Sequence, residues 1–238
     1  MFRRIMFAAI AAGLLAGLFI TVVQHFTTTP LILAAETFEG PANAAAASHA
    51  GHGMGAPAEA VVPTHGASAG GLATVDWERL LFTGMANLLA GVGFGLMVVA
   101  AFALRGKPVD TRTGIAWGAA GFVVMTLAPG LGLPPEVPGL IAADLPDRQL
   151  WWLLASSGAA IGLALLVFVR QPAFKLLGVV IALLPHIFGA PHPEAVGSDV
   201  PPELASQFVA VSIAVSAMFW AVLGWLSASF YRRFGEAR

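Results

Sequence analysis

The residues best suited to chemistry in this chain are its six histidines, at positions 25, 49, 52, 65, 186 and 192. There is no cysteine. Disulfides, thiolate metal sites, iron–sulfur clusters and cysteine nucleophiles are therefore excluded, and a metal would have to be held by imidazole, carboxylate, carbonyl or thioether groups. The segment His49-Ala50-Gly51-His52-Gly53-Met54 sets two imidazoles and a thioether on a flexible backbone, with His65 further on. That set suits weak collection of late first-row divalent ions such as cobalt, nickel, copper or zinc. The competing reading is a variable polar tract with no ligand.

A sharper constellation follows in Pro185-His186-Ile187-Phe188-Gly189-Ala190-Pro191-His192-Pro193-Glu194. Three prolines in so short a stretch cannot continue a regular helix, so backbone carbonyls are freed where His186, His192 and Glu194 approach. His186 lies inside an apolar run, and an ionisable group at such a position is a candidate functional site by default. The structural alternative is a histidine bonded to the carbonyl of a neighbouring helix. His25, beside Gln24, and Asp144 are further candidate ligands. No serine or carboxylate set has catalytic spacing, so no enzyme is expected.

The elements that must position these groups are set by composition. Of the 238 residues, 58% are hydrophobic and 11% are charged, against about 25% charged in soluble domains. Mean hydropathy is +0.81, so lipid must cover the surface. A helix needs about 20 apolar residues to cross a bilayer. Six stretches qualify: Ile5 to Phe26, Leu80 to Leu104, Thr113 to Leu131, Leu150 to Val169, Leu176 to Ala190 and Ser206 to Tyr231. The fifth is the shortest and carries Pro185.

The positive-inside rule fixes the orientation. With six spans and both termini cytoplasmic, Arg3, Arg4, Arg105, Lys107, Arg112, Arg170, Lys175, Arg232, Arg233 and Arg238 lie inside, and only Arg79 and Arg148 lie outside. Among the acids only Asp110 and Glu236 lie inside; the rest, and all six histidines, fall on the outer side. Losing the fifth span would put Arg232, Arg233 and Arg238 outside. The net charge of −1 gives no support for a nucleic-acid partner. The expected fold is thus an all-α integral membrane protein of six transmembrane helices.

Arg3 and Arg4 before an apolar run also suit a secretory signal, but the run is too long and its candidate cleavage site too distant, so a retained helix is expected. The connection over 27–76, rich in Ala, Gly, Pro and Ser, is expected to be a flexible external loop. A weak repeat of two helices recurs: Pro30, Pro129 and Pro185 close outward helices and are followed by Glu36, Glu136 and Glu194. Acid or amide clusters then open the return helices, at Asp76 to Arg79, Asp144 to Gln149 and Glu203 to Gln207. Three repeated hairpins would bring acidic outer ends together; proline and acid marking helix ends would give the same pattern. Asp76, Asp144 and Asp147 suit helix capping, and Gly91 with Gly95, and Ser212 with Ser216, suit close helix packing.

No span contains a carboxylate or a basic residue, so a dication crossing would meet only Thr83, Asn87, Thr126, Ser156, Ser157, Ser212, Ser216 and methionines such as Met85, Met125 and Met218. That disfavours a proton relay. The membrane potential alone supplies about 4.6 kcal/mol per 100 mV for a dication.

Over nearly its whole length the chain resembles the CbtA family of predicted cobalt transporter subunits. The resemblance is carried by Met1-Phe2-Arg3-Arg4, Gly13 to Gly17, Asn87 to Phe94, Thr126-Leu127-Ala128-Pro129, Leu133-Pro134-Pro135-Glu136 and Arg148-Gln149-Leu150-Trp151-Trp152. Leu184-Pro185-His186, Gly189 to Pro193, Pro202-Glu203-Leu204-Ala205 and Phe219-Trp220 extend it. It implies cobalt uptake linked to cobalamin synthesis, across a bacterial inner membrane. It also implies a small partner, CbtB, with one membrane span and a histidine-rich end. Family members are commonly described with five spans; the charge pattern here favours six. Transported Co2+ is then the substrate, with Ni2+ open, no cofactor is bound permanently, and a homo-oligomer stays open. Two other readings compete: a redox protein with His25 and His186 as axial haem ligands, and an accessory or sensor protein that binds metal without moving it.

Overall fold

A computed structural model describes residues 2–38, 76–193 and 198–236. Helix is the regular structure throughout these residues: α1 Phe2–Phe26, α2 Thr28–Glu36, α3 Trp77–Arg105, α4 Thr111–Gly130, α5 Leu145–Phe168, α6 Pro172–Phe188 and α7 Pro202–Glu236. Five of them, α1, α3, α4, α5 and α7, are long and apolar enough to cross a membrane. The expected fifth span corresponds to α6, which at 17 residues is shorter. Pro172 starts it near the first helical position, where a missing N–H costs nothing, and Gly189, at φ 85°, ends it.

The helix ends follow local chemistry. Asp76 caps α3, its carboxylate accepting the Arg79 N–H at 3.1 Å, and Gly106 closes the same helix in the left-handed region at φ 64°. Asp110 caps α4 by accepting the Thr113 N–H at 2.8 Å. Asp144 stands at the cap position of α5 but its side chain makes no capping bond, so the expected role is filled by Asp76 and not by Asp144.

Three antiparallel pairs form the bundle. Glycines allow backbone to meet backbone in each: a Cβ on Gly13 would come within 2.5 Å of the Gly91 carbonyl oxygen, one on Gly114 within 2.5 Å of that of Gly224, and one on Gly162 within 2.5 Å of that of Gly178. The pairs are therefore α1 with α3, α4 with α7, and α5 with α6. Only the first is a unit of the repeat; the second and third expected hairpins exchange partners. Helix α1 also packs on α7. The α5–α6 pair joins the rest through the last two turns of α4.

At one end Arg4 ties the two termini together: its Nε donates to the Tyr231 carbonyl at 2.7 Å and its guanidinium lies 3.8 Å from the Tyr231 ring centroid. Aromatic packing of Phe94, Phe102, Trp117, Phe219, Trp220 and Tyr231 fills the adjoining core. At the opposite end, where α1, α4 and α6 finish, a second small core buries Ala35, Val137, Val200 and Phe208, with Leu31 and Ile32 against them. The connection expected to be a loop from Thr27 thus begins as α2, because Leu31, Ile32 and Ala35 form an apolar stripe that packs towards α7. Leu81, Leu89, Leu176, Ile187 and Phe188 stay outward and exposed, which water would not tolerate over so large a surface.

Candidate functional site

The end of the bundle that holds this second core carries His25, His186 and His192. Helix α6 presents His186 in its last turn, and the Nε2 of His186 lies 2.9 Å from the Ala128 carbonyl oxygen of α4. A carbonyl can only accept, so Nε2 carries the proton. In the neutral ring Nδ1 then keeps its lone pair, and this atom is buried with no hydrogen-bond partner. A metal-ligating imidazole has the same pattern, one nitrogen held by a carbonyl and the other left for the ion. Trp151 of α5 braces the ring: the indole N–H donates to the Pro185 carbonyl at 3.3 Å, and the two rings meet edge to face at 5.5 Å.

The Ala128 carbonyl is available because α4 ends there: the Gly132 N–H, its partner in a regular helix, reaches Pro129 instead, and only the Leu131 N–H approaches it, at 3.3 Å. The helix is irregular just before this end. Residues Val123–Leu127 form one π turn, in which the Ala128 N–H reaches back to the Val123 oxygen. Pro129 has no N–H to offer. The carbonyl of Val124 is therefore left without a donor in the helical ladder. In the same turn, Thr126 shares a hydrogen bond of 2.9 Å with Ser216 of α7.

The other expected ligands are more scattered. His192 is exposed, between Pro191 and Pro193. Asp144 is exposed. His25 packs on the Phe26 ring at 5.0 Å, on its own helix, while His186 meets α4 and α5. Glu194, His49, His52, Met54 and His65 lie outside the described residues. Among the described residues no three His, Asp or Glu side chains gather as a metal-binding group.

Sequence reasoning missed two ion pairs at this end. Arg79 meets Glu36 at 2.8 Å and Arg148 meets Glu136 at 2.9 Å. Each joins a glutamate that follows one of the repeat prolines to the arginine that opens the next return helix; the repeat held the signal, in the shared order of proline, glutamate and arginine, although the pairs are 43 and 12 residues apart. Both arginines assigned to the outer side are thereby neutralised. Burial pushes the Glu136 carboxyl above its ordinary range, and the Arg148 guanidinium pulls the other way. Asn87 of α3, for which no specific partner was legible in the sequence, donates to Thr21 at 3.1 Å and to Gln24 at 2.7 Å, joining α3 to α1.

Glycine-packed apolar helices, an exposed lipid-compatible surface and polar groups gathered at one end define a multi-pass membrane protein. Residues 2–232 match the family described as probable cobalt transporter subunit (CbtA), and the chain belongs to that family. No curated protein and no solved structure matches it.

Proposed function

We propose that this chain is the membrane-crossing subunit through which Co2+ is taken up. It would cross a bacterial inner membrane six times, with both termini in the cytoplasm, and supply cobalamin synthesis. A small single-span partner of the CbtB type, with a histidine-rich end, would accompany it. The antiparallel course of α6 along α5 supports the sixth crossing, since it returns the chain from the basic Arg170 and Lys175 to the histidine end. Its 17 residues reach about 26 Å, close to the hydrocarbon thickness of about 30 Å.

In this reading the outer acids, with His49, His52, Met54 and His65, collect the ion. His186 then receives it, with His192, Glu194, Asp144 and His25 as the nearby groups that exchange for part of its water. The observation that carries the reading is the single hydrogen bond of His186 to Ala128, which leaves the lone pair of Nδ1 free for a cation. Nickel has a similar affinity for imidazole, so the same site accepts it. Transfer inward runs down the membrane potential.

The test is radioactive cobalt accumulation by native cells carrying His186→Ala together with His192→Ala. Uptake should fall to the level of cells lacking the chain. Normal uptake by the double variant, at equal membrane abundance, would sink the assignment.

A further inference from the structure

The end of the bundle opposite the histidines gathers positive charge that the metal reading does not use. Helix α1 begins with Arg3 and Arg4, and α7 ends with Arg232 and Arg233. Like charges drawn together repel unless an anion lies among them.

The contacts that join these segments are specific. The Arg4 Nε donates to the Tyr231 carbonyl, the guanidinium lies on the Tyr231 ring, and a Cβ on Gly235 would collide with that guanidinium. Arg3 lies 5.9 Å from the Phe7 ring centroid, Phe7 meets Phe234 at 6.3 Å, and Phe234 stacks on Phe230 at 6.0 Å. Both arginines of α1 are thereby held at the last two turns of α7, where Arg232 and Arg233 are exposed. Among the described residues no carboxylate pairs with Arg3, Arg232 or Arg233. Glu236 is the one acid in the two segments, so setting it against one arginine still leaves a positive excess.

Phe7 and Phe234 keep 52% and 36% of their surface exposed. Guanidinium groups beside exposed aromatic rings, at the ends of membrane helices, match an amphipathic anion better than a soluble one. Arginine pairs with phosphate oxygens, and the rings offer apolar surface to the chains below the headgroup.

We propose that this corner, between the start of α1 and the end of α7, binds the phosphate headgroup of an anionic phospholipid. Arg3 and Arg4 hold the phosphate, Arg232 and Arg233 add attraction at its rim, and the acyl chains run past Phe7 and Phe234. The bound lipid offsets repulsion among the arginines and so fastens the two ends of the chain to each other. The site needs only a bilayer around the helices. It depends neither on the uptake reading nor on which side of the membrane this end faces.

The test is titration of phosphatidylglycerol into the full chain in neutral detergent, with bound lipid counted by native mass spectrometry. An arginine near an anionic headgroup is worth about fivefold in affinity, so Arg232→Gln with Arg233→Gln should weaken binding about 25-fold. Thermal unfolding in lipid-free detergent should stay unchanged, since neither side chain bonds to another described residue. Arg3→Gln, which loses one ring contact, should weaken binding about fivefold. Arg170→Gln with Lys175→Gln removes as much charge from the same end, but from the α5–α6 pair, and should change affinity less than about twofold. Equal losses in the two double variants would overturn the site in favour of general surface charge. Equal affinity for phosphatidylcholine would also overturn it and leave the arginines to an acidic protein. Displacement of the lipid by inorganic phosphate would make the ligand a soluble anion and overturn the lipid assignment.

Discussion

At His186 a single carbonyl decides which nitrogen holds the proton. The Ala128 oxygen accepts from Nε2, the Trp151 edge packs on the ring, and Nδ1 is left without a partner. The sequence already offered a histidine bonded to a neighbouring helix as the structural alternative to a ligand, and the bond to Ala128 is that contact; in the proposed site it would also orient the ligand. Glu136 is the other residue whose state follows from its surroundings. Burial raises its pKa, so the folded chain holds the proton more tightly than the unfolded chain does. The stabilisation that protonation brings is present below the ordinary carboxylate pKa and is lost as pH rises through the raised value. Arg148→Ala removes the one group that lowers that value. At neutral pH it should cost about 1–2 kcal/mol, because an unpaired carboxylate is left half-buried. Thermal unfolding across pH should show that deficit narrowing in acid; a deficit of constant size would mean that lost packing of the arginine stem, not the charge, is responsible.

Among elements, glycine placement sets which helices touch. Gly93 and Gly95 lie on the same helix, yet a Cβ on Gly95 would sit 2.8 Å from the Ala9 carbonyl oxygen whereas one on Gly93 would meet nothing. Gly95→Ala should therefore destabilise by about 1–3 kcal/mol through overpacking, while Gly93→Ala should be neutral or slightly favourable, by up to about 1 kcal/mol. Equal effects of the two on thermal unfolding in detergent would refute the seam between α1 and α3. Asp110, whose carboxyl is held below its ordinary range by the Thr113 side chain and N–H, stabilises the start of α4 at pH above that ordinary range, and the benefit is lost in acid. Helix positions were legible from apolar runs, and several ends from Asp, Gly and Pro. The π turn was not legible: Pro129 reads as a helix terminator, and only the helix continuing through it, with α5 and α7 alongside, turns the missing N–H into a freed carbonyl. Helix α2 was hidden because its short apolar stripe is ambiguous until Val137, Val200 and Phe208 are there to cover it.

For the whole molecule, orientation can be tested directly because the chain has no cysteine. With six crossings, single cysteines replacing Lys107, Arg170 and Arg233 should react with an impermeant thiol reagent only from the cytoplasmic side, and one replacing Glu203 only from outside. Outside labelling at position 233 would reduce the crossings to five. The sequence by itself determined that the chain belongs in a bilayer, where its long helices lie, and that bases and histidines concentrate at opposite ends, because hydropathy and charge act locally and sum along the chain. Only the tertiary structure decided that α4 pairs with α7 and α5 with α6, that Arg79 and Arg148 are matched to glutamates, and that His186 meets Ala128. Those outcomes depend on which backbones can approach closely, and that is a property of facing surfaces far apart in the chain.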